Sequence, residues 1–125
     1  MLVKISKPKF IGENQFGSTF ELETPETPKY LVGYRNKGSV LGNHYHKGIE
    51  KRKNPEVFFL MSGNVELSVK HIETGETEKH ECQAPCKIEF QINVIHTLYA
   101  LTDLVFIEFN SLEEHKNDTF YLETK

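Results

Sequence analysis

The 125-residue sequence predicts an all-β fold, either a sandwich or a closed barrel. Short apolar segments recur along the chain, and turn residues such as glycine, proline and asparagine separate them. No long segment shows the 3.6-residue apolar period of a helix. The length fits one hydrophobic core, so we expect a single domain over 1–125. Its barrel core is expected over about 16–110, with a polar C-terminal tail over 111–125.

The first half of the chain contains three predicted strands, which are Phe16–Leu22, Tyr30–Tyr34 and Ser39–His46. The first alternates in part between apolar and polar residues, and Pro25 and Pro28 mark the loop that follows it. Gly38 lies in the turn after the second strand. The third strand contains the histidines on which the functional interpretation of the chain depends.

The second half contains five further predicted strands, which are Val57–Met61, Val65–Val69, Lys87–Phe90, Val94–Leu98 and Leu104–Phe109. Ser62-Gly63-Asn64 predicts a tight hairpin between the first two of them, and Thr74-Gly75 indicates a second hairpin. Leu104–Phe109 is strongly apolar and is predicted to be a central strand. The tail predicts a short helical or irregular piece, with Phe120–Leu122 as a final strand.

Composition excludes several classes of protein. A formal net charge of −3 gives no support for nucleic-acid binding, which requires a basic surface. No apolar run is long enough to span a membrane, and the N-terminus lacks the apolar stretch of a signal peptide, so we expect a cytoplasmic protein. Cys82 and Cys86 are the only cysteines. Their spacing favours two reduced thiols near a turn over a disulfide or an auxiliary metal site.

Three histidines and one glutamate form the candidate site. His44 and His46 are separated by one residue, so on a strand both point to the same face, with Cα atoms about 6–7 Å apart. Glu56 opens an apolar strand, and His96 lies in another strand-like segment. Imidazole and carboxylate ligands suit one divalent transition metal ion, Zn, Fe, Mn or Ni. The sequence therefore predicts a metal site made by His44, His46, Glu56 and His96.

These residues resemble the motifs of the cupin superfamily. Its first motif has a glycine, two histidines one residue apart, a glutamate, and a glycine seven positions after that glutamate. Gly38, the two histidines, Glu56 and Gly63 match it, except that nine residues separate His46 from Glu56. The surplus is interpreted as an inserted loop, Lys47–Pro55. Glu50 has the usual spacing and is the rival carboxylate, whereas the spacing to Gly63 favours Glu56.

The second cupin motif is weaker in this chain. His96 is in place, but the preceding proline and glycine are absent, and Ala100 occupies the position of an asparagine. The resemblance nevertheless covers about residues 16–122 and implies a double-stranded β-helix, the cupin jelly-roll barrel.

Two sugar-modifying branches of the superfamily look most similar. Gly42–His46 and Asn117–Phe120 resemble the metal-binding cupin domain of the capsular-polysaccharide reductase/epimerases. Gly42–Lys47 also resembles the nucleotide keto-deoxysugar ketoisomerases, which work without metal and use the paired histidines as acid and base. The resemblance implies a nucleotide-sugar ligand and an isomerase or epimerase activity. A metal-free isomerase using His44 and His46, an iron-dependent dioxygenase and a non-catalytic small-molecule-binding cupin are the alternatives.

Basic residues supply candidate ligand contacts. Lys47, Lys51, Arg52 and Lys53 form a charged loop, which is either simply solvated or a lid that binds a diphosphate. Arg35, Lys47 and Arg52 are the candidate ligand-binding residues. The remaining histidines lie in polar surroundings and receive no role; they are His71, His80 and His115.

A homodimer is expected from the strand after Glu56. Val57, Phe59 and Met61 would face away from the core, so the strand is apolar on both sides and requires two covers. A second copy is the simplest outer cover, although an N-terminal strand of the same chain could also serve.

Overall fold

The structure, a computed structural model, describes residues 1–122, so the end of the predicted tail at 123–125 lies outside the described residues. Eleven strands precede one short helix. The strands are β1 (Val3–Ser6), β2 (Lys9–Asn14), β3 (Gly17–Glu21), β4 (Leu31–Arg35), β5 (Val40–His44), β6 (Glu56–Ser62), β7 (Asn64–His71), β8 (Thr77–Gln83), β9 (Cys86–Phe90), β10 (Val94–Ala100) and β11 (Leu104–Glu108), and the helix is α1 (Leu112–Asn117).

Two antiparallel sheets form the body of the fold. The larger has the order β1-β9-β6-β11-β4, and the smaller has the order β5-β10-β7-β8. Several strands alternate between inward and outward residues, as in β7, where Val65, Leu67 and Val69 are buried. These side chains pack in one core with inward residues of the opposite sheet, including Phe58 and Leu60. Two curved sheets around one core make a jelly-roll barrel.

Most predicted strands are confirmed within one or two residues, and one of the two predicted hairpins is present, since β7 pairs with β8 and Thr74-Gly75 lies in their connection. The tight hairpin predicted at Ser62-Gly63-Asn64 is wrong, because β6 and β7 belong to different sheets and Gly63 lies where the chain passes from one sheet to the other. The strand around Leu104 is an interior strand, as predicted, because β11 pairs with both β6 and β4. The central position of that sheet belongs to β6.

The ordered core begins earlier than the predicted start at residue 16. β1 pairs with β9 in antiparallel register, and Leu2 and Val3 are buried in the core. The sequence did not reveal this strand because only four residues form it. β2 and β3 pair only with each other, and this hairpin exposes Phe10, Ile11 and Phe20 to solvent.

The C-terminal tail is part of the barrel and covers its opening. Ser111 caps α1 by accepting a hydrogen bond from the Glu114 backbone, while the Glu114 carboxylate accepts one from the Ser111 backbone. Asp118 is fully buried behind the helix. The predicted final strand is reduced to a single β-bridge between Phe120 and Tyr45, with both backbone hydrogen bonds at 2.9 Å. The predicted short helical piece is therefore present, but the tail is not peripheral.

The outer face of β6 is covered only in part. Val57 is buried beside Pro25 at a cavity of about 450 Å³. Phe59 is half-buried, and Met61 is 48% exposed. Part of the cover predicted for this strand thus comes from the loop between β3 and β4 of the same chain. Among the described residues, no helix is long and apolar enough to cross a membrane.

Candidate metal and ligand site

Pairing of β5 with β10 brings His44 and His96 together. The two residues are direct partners in the antiparallel register, and their ring centroids lie 4.8 Å apart. Gly42 makes this approach possible, because its φ is +82° and an added Cβ would lie 2.5 Å from the His96 carbonyl oxygen. Only glycine combines that backbone conformation with that proximity at low cost, so a local backbone feature fixes the distance between two candidate ligands.

His46 lies two residues beyond the end of β5, yet its ring remains beside that of His44, with centroids 5.1 Å apart. Its Nδ1 donates to the backbone carbonyl of Asp118 in the C-terminal tail. That hydrogen bond places the ring proton on Nδ1 and leaves the Nε2 lone pair free. Nε2 faces the Glu56 carboxylate. The tail therefore fixes both the orientation and the tautomer of this histidine.

His96 is held in the same way. Its Nδ1 lies 3.4 Å from the Val94 carbonyl oxygen, and its Nε2 lies 3.9 Å from Oε2 of Glu56. The ring also stacks on Phe90, with centroids 4.1 Å apart. A backbone acceptor on Nδ1 again leaves the Nε2 lone pair directed at the carboxylate.

The four predicted ligands converge on one point. The ligand atoms of His44, His46, Glu56 and His96 all lie within 4.8 Å of one another. Two imidazole lone pairs directed at a carboxylate repel it unless a positive charge lies nearby, and either a metal ion or the ammonium of Lys53, 3.1 Å from Glu56 Oε2, can supply that charge. Nε2 of His46 is buried and has no hydrogen-bond partner among the described residues. This donor set, with its fixed tautomers, therefore fits a divalent transition metal ion.

The electrostatics keep these ligands in the protonation states that a metal requires. Burial lowers the pKa of His44 to about 3 and that of His96 to about 4, so both rings are neutral at pH 7. Burial alone would raise the pKa of Glu56, but the contact with the His46 ring and the positive charge of Lys53 hold it well below its usual range. His44 and His96 are therefore neutral and Glu56 is ionised, as metal coordination requires.

Lys53 belongs to the basic loop that is predicted to be either solvated or a diphosphate-binding lid, but its side chain is fully buried in the site. Its Nζ lies 3.1 Å from Oε2 of Glu56 and 2.9 Å from Nδ1 of His115. The inserted loop therefore turns inward at this residue. Nothing in the local sequence distinguishes this lysine from Lys51, because its burial depends on contacts with the distant tail.

His115 also belongs to the site, although its polar surroundings in the sequence gave no indication of a role. Its ring centroid lies 5.5 Å from that of His44 and 6.0 Å from that of His46. Burial, reinforced by the charge of Lys53, lowers its pKa to about 4. Glu108 lies 3.9 Å away, and burial together with the charge of Glu56 raises the pKa of its carboxyl to about 7.

The rival carboxylate Glu50 lies outside the cluster of four donors. Its side chain accepts a hydrogen bond from Asn117 at 3.3 Å, and its backbone N–H donates to Asp118. Asp118 also accepts from the backbone of Lys47 and Gly48. The rival glutamate therefore helps to anchor the inserted loop to the tail.

The three candidate ligand-binding cations have different surroundings. Arg35 lies over the Phe106 ring at 5.3 Å, on the inward side of β4. Lys47 lies over the Phe120 ring at 4.1 Å. Arg52 donates to the Glu26 carbonyl and to the Glu114 carboxylate, and it lines the outer cavity beside Pro25. Arg35 is exposed, but it lies on the side of β4 that faces Phe106, and its charge acts on Glu108.

Comparison with protein-family models finds no match, and no curated protein matches in sequence. Solved structures do match. QdtA, a sugar 3,4-ketoisomerase from Thermoanaerobacterium thermosaccharolyticum in complex with TDP, has a TM-score of 0.72 and 15% identity, covering 96% of this chain and 88% of that chain. The dTDP-4-dehydrorhamnose 3,5-epimerase from Sulfolobus tokodaii has a TM-score of 0.69 and 17% identity, covering 98% and 72%.

The capsular polysaccharide assembling protein CapF from Staphylococcus aureus is a third match, with a TM-score of 0.62 and 21% identity. The alignment covers 95% of this chain but 33% of CapF, so the chain spans about a third of that protein. At these identities the likeness shows the fold. The fold is a cupin-type jelly roll, which confirms the predicted fold class.

Proposed function

We propose that this protein is a metal-binding cupin that isomerises or epimerises a keto-sugar carried by a nucleotide. One observation carries the metal part of the proposal. His46 and His96 both direct Nδ1 at a backbone carbonyl, so both Nε2 lone pairs point at the Glu56 carboxylate. His44 completes the donor set. Three imidazoles and one carboxylate are a ligand set for Zn, Fe, Mn or Ni.

The sugar part of the proposal rests on chemistry that the site can supply. Isomerisation or epimerisation next to a carbonyl removes a proton from carbon and places negative charge on the carbonyl oxygen. A divalent ion at this site would supply positive charge to that oxygen as a Lewis acid. Glu108 is a largely buried carboxyl whose Oε2 lies 3.9 Å from Nδ1 of His115, so it places a proton acceptor beside the site. Enzymes of this fold named as a sugar ketoisomerase and a 3,5-epimerase support this substrate class.

Arg35 is proposed to contact the charged part of the ligand. Its side chain is exposed and its guanidinium lies above Phe106 on the inward side of β4. A guanidinium binds phosphate oxygens with two parallel hydrogen bonds, which suits a nucleoside diphosphate. Lys47 is a second cation for that purpose, whereas Arg52 is already paired with Glu114.

A metal-free isomerase is the second candidate, and the buried ammonium of Lys53 favours it. Its Nζ lies 3.1 Å from Glu56 Oε2 and already supplies a positive charge to that carboxylate. Such an ion pair would oppose the approach of a divalent cation by like-charge repulsion. His44 and His46 would then serve as the acid and base.

The experiment is a deuterium-exchange assay with TDP-4-keto-6-deoxyglucose, the sugar nucleotide bound by a QdtA variant. Protein loaded with metal and protein stripped by chelator are each incubated with the sugar in D₂O, and proton NMR follows the C–H positions next to the carbonyl. We expect exchange or product formation with the loaded protein and its loss on stripping. Equal exchange in both samples would support the metal-free mechanism. No exchange in either would contradict the proposed activity on this sugar.

We also propose that the protein forms a homodimer. Val32, Tyr34 and Met61 are about half exposed or more on the outer face of the five-stranded sheet. The β2–β3 hairpin pairs with no other strand among the described residues, and an isolated hairpin is marginally stable in water. A second copy would cover both surfaces. Light scattering coupled to size exclusion should give the dimer mass, and a monomer at micromolar concentration would contradict this proposal.

A further inference from the structure

We infer that His115 is the residue that donates a hydrogen bond to the reacting oxygen of the bound ligand. The inference rests on the proposed function and adds a residue outside both cupin motifs. His115 lies on α1, and its ring is packed against His44 in a T-shaped arrangement. It is 24% exposed, whereas His46, Glu56 and His96 are almost completely buried. Among the imidazoles of the site, that of His115 is therefore the most accessible to a ligand.

Lys53 determines which nitrogen of His115 carries the proton. An ammonium has three hydrogen-bond donors and no acceptor, so Nδ1 of His115 accepts from Nζ at 2.9 Å. A neutral imidazole has one N–H, which must then be on Nε2. Lys53 is itself held by the Glu56 carboxylate at 3.1 Å and is fully buried. The pair Glu56–Lys53 therefore presents the Nε2–H of His115 as a fixed donor.

A fixed hydrogen-bond donor beside the four candidate metal ligands has a definite chemical role. The oxygen of a keto-sugar gains negative charge when a proton leaves the neighbouring carbon, and an N–H directed at that oxygen stabilises the charge. A cation acting on the same oxygen and a neutral imidazole donor complement each other, since the donor adds no further charge to a crowded site. Lys53 acts through His115 and is a positioning residue.

The tautomer can be observed directly by nitrogen-15 NMR of protein labelled at histidine. We expect His115 to carry its proton on Nε2 in the wild-type protein and to lose that preference in Lys53→Met. A proton on Nδ1 in the wild type would overturn the inference. This measurement requires neither substrate nor turnover, so it is independent of the proposed activity.

Ligand binding tests the donor itself, with tropolone as a keto-enolate probe and TDP-4-keto-6-deoxyglucose as substrate. His115→Phe removes the donor, His115→Gln retains an N–H at similar reach, and His80→Phe is the control on β8. In metal-loaded protein, we expect His115→Phe to weaken tropolone binding and lower kcat about tenfold or more, because a charge-assisted hydrogen bond is lost. His115→Gln should recover most of both, and metal content should be unchanged.

The outcomes separate the donor role of His115 from the proposed isomerase or epimerase activity. If tropolone affinity depends on His115 but the sugar is not turned over, the donor role of His115 is supported and the proposed activity is refuted. Sugar turnover with kcat unchanged in His115→Phe would support the proposed activity and refute the donor role of His115. Binding of neither compound by the wild-type protein would overturn both.

Discussion

Asp118 connects three parts of the site, and its removal should be the most damaging single change outside the metal ligands. Its carboxylate accepts hydrogen bonds from the backbone N–H groups of Lys47, Gly48 and Glu50, at 2.7, 3.0 and 3.0 Å. Its backbone carbonyl accepts from Nδ1 of His46. The residue is fully buried. It therefore anchors both the inserted loop and one candidate ligand to the tail.

The magnitude follows from these contacts. A hydrogen bond to a charged group contributes about 1.5–3 kcal/mol, so three of them set an upper limit of about 5–9 kcal/mol. In Asp118→Ala the loop can move outward and water can reach the freed N–H groups, which offsets part of that loss. We expect the free energy of unfolding to fall by about 3–5 kcal/mol. Metal affinity should fall about 10–100-fold, since the carbonyl that orients His46 is no longer held in place.

Urea unfolding of the metal-free protein measures the first effect, and competition with a chelator measures the second. Asp103→Ala is the matched control, because Asp103 is exposed and accepts one backbone hydrogen bond, from Lys37 at 2.8 Å. We expect that control to change stability by less than about 1 kcal/mol. A loss below about 1 kcal/mol in Asp118→Ala, with unchanged metal affinity, would refute the anchoring role.

Three further predictions concern the site. Glu56→Gln should lower metal occupancy far more than Glu50→Gln, and equal losses would show that the carboxylate ligand is misassigned. Gly42→Ala should destabilise the protein by about 1–3 kcal/mol and reduce metal binding, because φ is +82° and the new methyl would meet the His96 carbonyl. Gly12→Ala, in open space, should do neither, and equal effects of the two would contradict this reasoning. Acid should destabilise the metal-free protein, since three site histidines with lowered pKa values bind protons more readily when unfolded. The stability that these three histidines contribute is fully present above the unfolded pKa of 6.5 and is lost as the pH falls towards 4. Glu108, the carboxyl with a raised pKa, acts in the opposite sense. Urea unfolding at pH 7 and pH 5 measures this change, and equal midpoints would contradict it.

The candidate ligands could be predicted because local rules place them. A two-residue spacing orients His44 and His46 alike, and the strand that begins at Glu56 is identified by its apolar run. The number and spacing of short strands predict an all-β sandwich or barrel, and the resemblance to the cupin motifs implies the jelly roll. Pairing of β5 with β10 then completes the cluster by adding His96.

The remaining residues of the site could not be predicted, because their contacts are non-local. Lys53 meets His115 across 62 positions of sequence, and Asp118 meets Lys47 across 71. From sequence, a lysine in a charged loop is predicted to be exposed to solvent, and a histidine in a polar tail belongs to no periodic apolar pattern. β1 could not be predicted for a related reason, because its place in the sheet depends on pairing with β9, which lies far along the chain.

Metal content is the measurement that tests the central claim most directly. Tag-free protein purified without chelator is analysed by plasma mass spectrometry beside a His44→Ala variant. We predict a near-stoichiometric transition metal in the wild-type protein and its loss in the variant, and the identity of the metal would separate iron–oxygen chemistry from Lewis-acid isomerisation. Absence of metal from both samples, even after reconstitution, would contradict the four-ligand site and leave His44 and His46 as an acid/base pair.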